Sequence, residues 1–150
     1  MPTPKYYQLF QVSQVGVWVH QNKCLILRYN QSDAKWGLPG GRIDEGELQS
    51  GVTCEQAFRR EVEEELDIKE FEVGDVVGFD YTDMLASSSS QVGRMPVMAA
   101  ARLIIGDNTN ITLSPEHLEY RWVAEEDLDG VDFKWPCTKV MIRKGFEFFK

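Results

Sequence analysis

Residues 53–67 constrain this chain more than any other stretch. Thr53-Cys54-Glu55-Gln56 has the form of a capping box: the Thr53 hydroxyl accepts from the Gln56 N–H while the Gln56 side chain reaches back to the Thr53 N–H. Phe58, Val62 and Leu66 then recur at i, i+4 and i+8, one apolar stripe that has to face a core. Glu61, Glu64 and Glu65 fall on a different face, where spacings of three and four bring their side chains together. Upstream, Trp36-Gly37-Leu38-Pro39-Gly40-Gly41 holds too much glycine and proline for a helix or a central strand. A helix is thus expected with a core on one side and a carboxylate cluster on another.

The rest of the chain supplies strands for that helix to cover. Val15, Val17 and Val19 alternate with Gly16, Trp18 and His20, the period of a strand with one buried face. After the turn-like Gln21-Asn22-Lys23, the apolar run Cys24-Leu25-Ile26-Leu27 reads as a second strand, antiparallel to the first. Residues 73–81 and 95–105 read as strands joined by a mobile surface loop, 82–94, with four serines in its middle. Short strand pieces follow at 111–113 and 118–123, around a Ser114-Pro115 turn, and 136–150 has helical spacing weakened by Gly145. At 150 residues this is one domain, 1–150, of α/β class, with a mixed sheet covered on both faces.

Charge narrows the partners. The 24 acids outnumber 16 Lys and Arg to give −8, and residues 41–67 hold nine acids against three arginines, or −6 of that total. Such a balance excludes gripping a nucleic-acid backbone by bulk charge but leaves room for a small nucleotide. The N-terminal residues lack the basic-then-apolar pattern of a leader, and no run approaches the ~18 apolar residues of a membrane span, so a cytoplasmic protein is expected. Three scattered cysteines read as buried thiols, and with only His20 and His117 present a histidine-based metal cluster is not expected.

Two readings fit the glutamate face. It is a solvated acidic surface, balanced by water and Arg59 or Arg60, or it is a site for hard divalent cations, which prefer carboxylate oxygens. The upstream residues favour the second: Gly40 and Gly41 let backbone approach a ligand or offer a carbonyl, and Arg42 and Glu47 lie in the loop that feeds the helix.

Gly41-Arg42-Ile43-Asp44-Glu45-Gly46-Glu47, followed by Arg60-Glu61-Val62-Glu63-Glu64-Glu65-Leu66-Asp67-Ile68, resembles the box of the MutT-like Nudix hydrolases, G-x5-E-x7-R-E-U-x-E-E-x-G-U with U aliphatic. Two departures stand out. Glu47 and Arg60 enclose twelve residues where the box has seven, and because Thr53 starts the helix seven residues before Arg60, the extra five are a loop insertion at 48–52. That leaves the helix register intact and puts the role of Glu47 in question. Asp67 replaces the second glycine of the box, at a position where Asp tolerates a left-handed helix end.

The resemblance implies a Nudix-type α/β/α sandwich and Mg²⁺- or Mn²⁺-dependent hydrolysis of a phosphoanhydride in a nucleoside diphosphate linked to another moiety. A nucleoside triphosphate and a nucleotide sugar such as ADP-ribose are the substrates in view. By position it implies Glu64 and Glu65 as metal ligands, Glu61 as a further ligand or the general base, Gly40 as a carbonyl donor, and Arg60 as the residue that orients the glutamates. Arg28 and Arg42 are candidates for gripping phosphates, and Glu47 and Glu116 for work beside the substrate. Tyr29, Trp36, Phe79 and Tyr81 are candidates for stacking on a base. The resemblance also allows a homodimer. The alternative is a catalytically weak nucleotide-binding sensor of the same fold, although a module free of catalysis need not keep three mutually repelling glutamates.

Overall fold

A computed structural model describes residues 2–3, 5–82 and 96–150. The expected loop at 82–94 therefore lies, apart from Thr82, outside the described residues. Strand β1 (Gln11–His20) turns at Gln21 and Asn22, both at positive φ, into antiparallel β2 (Lys23–Tyr29). Two short strands, β3 (Trp36–Gly37) and β4 (Gly40–Arg42), lead to helices α1 (Glu45–Gln49) and α2 (Cys54–Leu66). Then come β5 (Glu72–Thr82), β6 (Val97–Ile105), β7 (His117–Ala124), a 3-10 turn at Glu125–Gly130 and helix α3 (Cys137–Phe148). Among the described residues seven strands form one mixed sheet along β3-β2-β1-β6-β5, with β4 on β1 and β7 on β2. The β1–β6 pair is parallel, and β5–β6 and β2–β7 are antiparallel.

This is the expected α/β layering, with helices on both faces. Val17, Ile26 and Leu103 point to one face and share a core with Met141, Ile142 and Phe146 of α3. Trp18, Leu25, Leu27 and Ile104 point to the other and pack on Phe58, Val62 and Leu66, the apolar stripe of α2. The expectation that β1 has one buried face is therefore corrected: six consecutive residues, 13–18, are buried. The alternating valines are only half of it, because a strand between two helical layers is apolar on both sides.

Other expectations also yield to tertiary context. Residues 36–41 contribute two short strands: β3 pairs at the edge with β2, and β4 pairs with β1. Pro39 sits between the two strands, and its carbonyl accepts the Gly16 N–H (2.7 Å). Residues 111–113 form no strand. The Thr112 and Ser114 N–H groups instead donate to the Leu66 and Glu65 carbonyls, satisfying the C-terminal end of α2, while Ile111 and Leu113 pack beneath it. Part of the 48–52 insertion is helical, since Asp44 and Glu47 form a second capping box that starts α1. Asp67 ends α2 at φ 53°, ψ 39°, the left-handed conformation expected of it. Gly145 does not weaken α3, because a β-carbon there would come within 2.3 Å of Val17 Cγ1: its absence is what lets the helix lie on β1.

Candidate active site

Helix α2 projects its carboxylates toward β4 and the turn before β7. Arg60 organises them. Its guanidinium donates to both oxygens of Glu47 (2.8 and 3.2 Å), to Glu61 Oε1 (3.1 Å) and to Glu64 Oε2 (3.0 Å). The insertion thus leaves Glu47 tied to Arg60, and that fork raises the arginine's pKa further above its usual range. Burial acts against this, and the neighbouring Glu61 and Glu64 add to it.

Glu65 is the buried member, 5% exposed. The Gly40 N–H donates to its Oε2 (3.0 Å) from a backbone at φ 144°, where a side chain would meet the Gln14 carbonyl. Burial pushes the Glu65 carboxyl up to about 9, against the Gly40 bond that holds it down, and Glu61, Glu116 and Glu64 push it further. Burial also raises Glu61, with Arg60 opposing. Carboxylates crowded out of water in this way form an anionic site that a divalent cation relieves, and their hard oxygens suit such an ion.

A cleft of about 550 Å³ opens over these groups. Glu61, Glu65, Gly40, Arg42 and Glu116 line it, so the structure brings together five of the residues singled out in the sequence. Glu64, more exposed, stands beside Arg60 outside the lining, and so does Glu47. Arg28 is turned away from the cleft: its Nε donates to the Ala34 carbonyl (3.0 Å) and its Nη1 lies 3.5 Å from Glu119. Tyr29 lines the cleft, its phenol raised by burial and by Glu65. Trp36 is buried under Arg121, while Phe79 and Tyr81 are exposed on β5 away from the cleft.

The cleft also contains residues that sequence reasoning passed over. Lys134 hydrogen-bonds Gln31 and lies over the Tyr29 ring, 5.5 Å from its centroid. Beside it is Trp135. His117 is 7% exposed, its ring 5.5 Å from that of Tyr29, and burial lowers its pKa to about 4. Donor atoms of Glu65, Glu116 and His117 all lie within 4.8 Å of one another. The one available signal for His117 was its place next to Glu116.

Residues 11–143 match the model of the NUDIX domain. Over 114 residues the chain is 27% identical to the nucleoside triphosphatase NudI of Escherichia coli O139:H28, covering 74% of this chain and 77% of the relative. The fold is similar to the crystal structure of a MutT protein from Methanosarcina mazei Go1 (TM-score 0.69, 24% identity, 97% of this chain and 100% of that one). It is also similar to the dihydroneopterin triphosphate pyrophosphohydrolase of E. coli (TM-score 0.72, 20% identity, 94% and 99%).

Proposed function

The chain belongs to the Nudix family, and from that premise we propose that it is a Mg²⁺- or Mn²⁺-dependent, cytoplasmic pyrophosphohydrolase acting on a nucleoside triphosphate or a nucleotide sugar such as ADP-ribose. The observation that carries this reading is that Glu61, Glu65 and Glu116 line the same cleft as Arg42 and Lys134. Acidic groups for cations and basic groups for phosphates in one cleft suit a polyanionic substrate. The relative named a nucleoside triphosphatase supports the first substrate class.

In this reading Glu64, Glu65 and the Gly40 carbonyl hold the cation, with Glu116 beside them. When bound, the ion supplies positive charge to phosphate oxygens and acidifies water. Arg60 fixes Glu61 and Glu64 in place through one hydrogen bond to each, is itself anchored by two to Glu47, and the Gly40 N–H fixes Glu65. Glu61 accepts a proton from water as the water oxygen bonds to phosphorus; the phosphoanhydride P–O bond breaks, and the leaving phosphate departs with the bond electrons. Arg42 and Lys134 neutralise the phosphate oxygens, and Tyr29 and Trp135 provide aromatic wall for a base.

The test is turnover of a panel of (d)NTPs, ADP-ribose, NDP-sugars and dinucleoside polyphosphates with Mg²⁺, with products identified. Glu61→Gln and Glu64→Gln are each expected to lower kcat by about 10²- to 10⁴-fold. Undiminished turnover by Glu64→Gln would falsify the mechanism, and tight binding of a panel member with no turnover of any would favour a nucleotide sensor.

A further inference from the structure

We infer that His117 is a nitrogen ligand for a divalent cation bound beside Glu65 and Glu116, and that it biases this chain's site toward Mn²⁺ over Mg²⁺. The inference rests on the proposed function, whose site it deepens.

Three observations point the same way. A ring nitrogen of His117 and carboxylate oxygens of Glu65 and Glu116 lie within 4.8 Å of one another, close enough to share one ion. The His117 imidazole is almost completely buried, yet its Nδ1 has no hydrogen-bond partner among the described residues. A buried imidazole that serves only for packing normally pairs that nitrogen, because an unpaired buried polar atom is costly; a nitrogen left unpaired is free to meet an ion. The third observation is the device that aims the ring. Along β2 and β7, Arg28 pairs with Glu119 while Tyr29 pairs with His117, so Leu118 is an extra residue opposite no partner. Regular alternation would put residues 117 and 119 on one face. The bulge separates them: Glu119 lies beside Arg28, outside the cleft, and His117 lies beside Tyr29, in its lining. The turn is held by the Asn30 N–H to the Glu116 carbonyl (2.9 Å) and the Asn30 side chain to the Pro115 carbonyl (3.1 Å).

An imidazole and two carboxylates form a mixed donor set. Mg²⁺ favours oxygen alone, whereas Mn²⁺, the hardest of the first-row transition ions, takes one imidazole beside carboxylates more readily than Mg²⁺ does, and the later ions more strongly still. His117 thus changes what the glutamates alone would select.

The test uses Mn²⁺ and the protein with no nucleotide. Electron spin-echo modulation of bound Mn²⁺ is expected to show ¹⁴N coupling, replaced by ¹⁵N coupling when histidine is ¹⁵N-labelled. His20 is the only other histidine, and His20→Gln is expected to leave the coupling in place. His117→Gln is expected to abolish it and to weaken Mn²⁺ binding about 10-fold or more, while Mg²⁺ binding changes less than about 3-fold. The labelled wild-type protein gives the answer even where the variant fails to fold. Bound Mn²⁺ without nitrogen coupling overturns the inference, as does equal weakening of both ions. Nucleotide turnover with Mg²⁺ but no nitrogen coupling would sink the His117 role and leave the hydrolase reading standing. Nitrogen coupling without turnover of any nucleotide would support the His117 role and sink the hydrolase reading.

Discussion

Helices α1 and α2 start with the same local device and end in different physical states. Asp44 and Glu47 form a capping box at α1, and Thr53 and Gln56 form one at α2. Yet α1 is five residues long and buries none of them, whereas α2 is thirteen long and buries Ala57, Phe58, Val62, Glu65 and Leu66. A cap satisfies the first N–H groups of either helix equally; what keeps a helix in place is the apolar face it removes from water. Helix α1 has no such face, and its attachment to the fold is polar: Glu47, third residue of the helix and the far end of its box, also grips Arg60 on α2. The short helix therefore depends on the long one.

The largest expected effect separates the two helices by their cores. Phe58→Ala, at a position 1% exposed, should cost about 3–5 kcal/mol in chemical denaturation. Leu48→Ala on α1, where the side chain is 74% exposed, should change stability by under about 0.5 kcal/mol. Comparable losses at the two positions would break the comparison.

Next in size is the buried carboxyl that α2 carries and α1 lacks. A carboxyl raised to about 9 by burial binds its proton more tightly folded than unfolded, so the chelator-treated protein loses stability as pH rises above the unfolded value near 4.5 and continues to lose it up to about 9. Glu65→Gln, whose amide oxygen can still accept from Gly40, removes that loss. It should stabilise the metal-free protein by on the order of 2 kcal/mol at pH 7.5, the gain fading below pH 5. A thermal-melt series showing no pH dependence in the gain would refute this account.

The caps themselves come lower. Thr53→Ala should cost about 1 kcal/mol, because α2 unfolds with the core. Asp44→Ala should cost only a few tenths in global stability while accelerating amide exchange at 45–49, since α1 can fray alone. Smallest of all is Glu47→Gln, which keeps the box but removes the charge facing Arg60. Exchange should rise in α1 and not in α2, and protection lost equally in both would show that the helices form one cooperative unit instead.

Much of α2 was legible in the sequence because its determinants are local. The capping box, the period of Phe58, Val62 and Leu66, and the grouping of Glu61, Glu64 and Glu65 all lie within fifteen residues, and helical geometry turns spacing directly into faces. Helix α1 obeys the same rule, but a run without an apolar stripe shows only its cap and otherwise has the composition of a loop. What the sequence could not display were contacts across the chain. Arg28 and Arg42 look alike as cations near strands, yet one is bound to Ala34 and Glu119 and the other lines the cleft. Residues 111–113 have strand composition, but the open carbonyls at the end of α2 claim the Thr112 and Ser114 N–H groups.

The same division runs through the candidate active site. The sequence by itself determined the identity and register of the α2 glutamates and their excess of negative charge, because each follows from neighbours along one chain segment. Only the tertiary structure decided that Glu65 would be the desolvated member and that the insertion would leave Glu47 on Arg60. It also decided that a one-residue bulge in β7 would turn His117 into the cleft beside Glu65 and Glu116. Burial and bulge register depend on which surfaces meet across the sheet, and that is a property of the packed whole that no local spacing encodes.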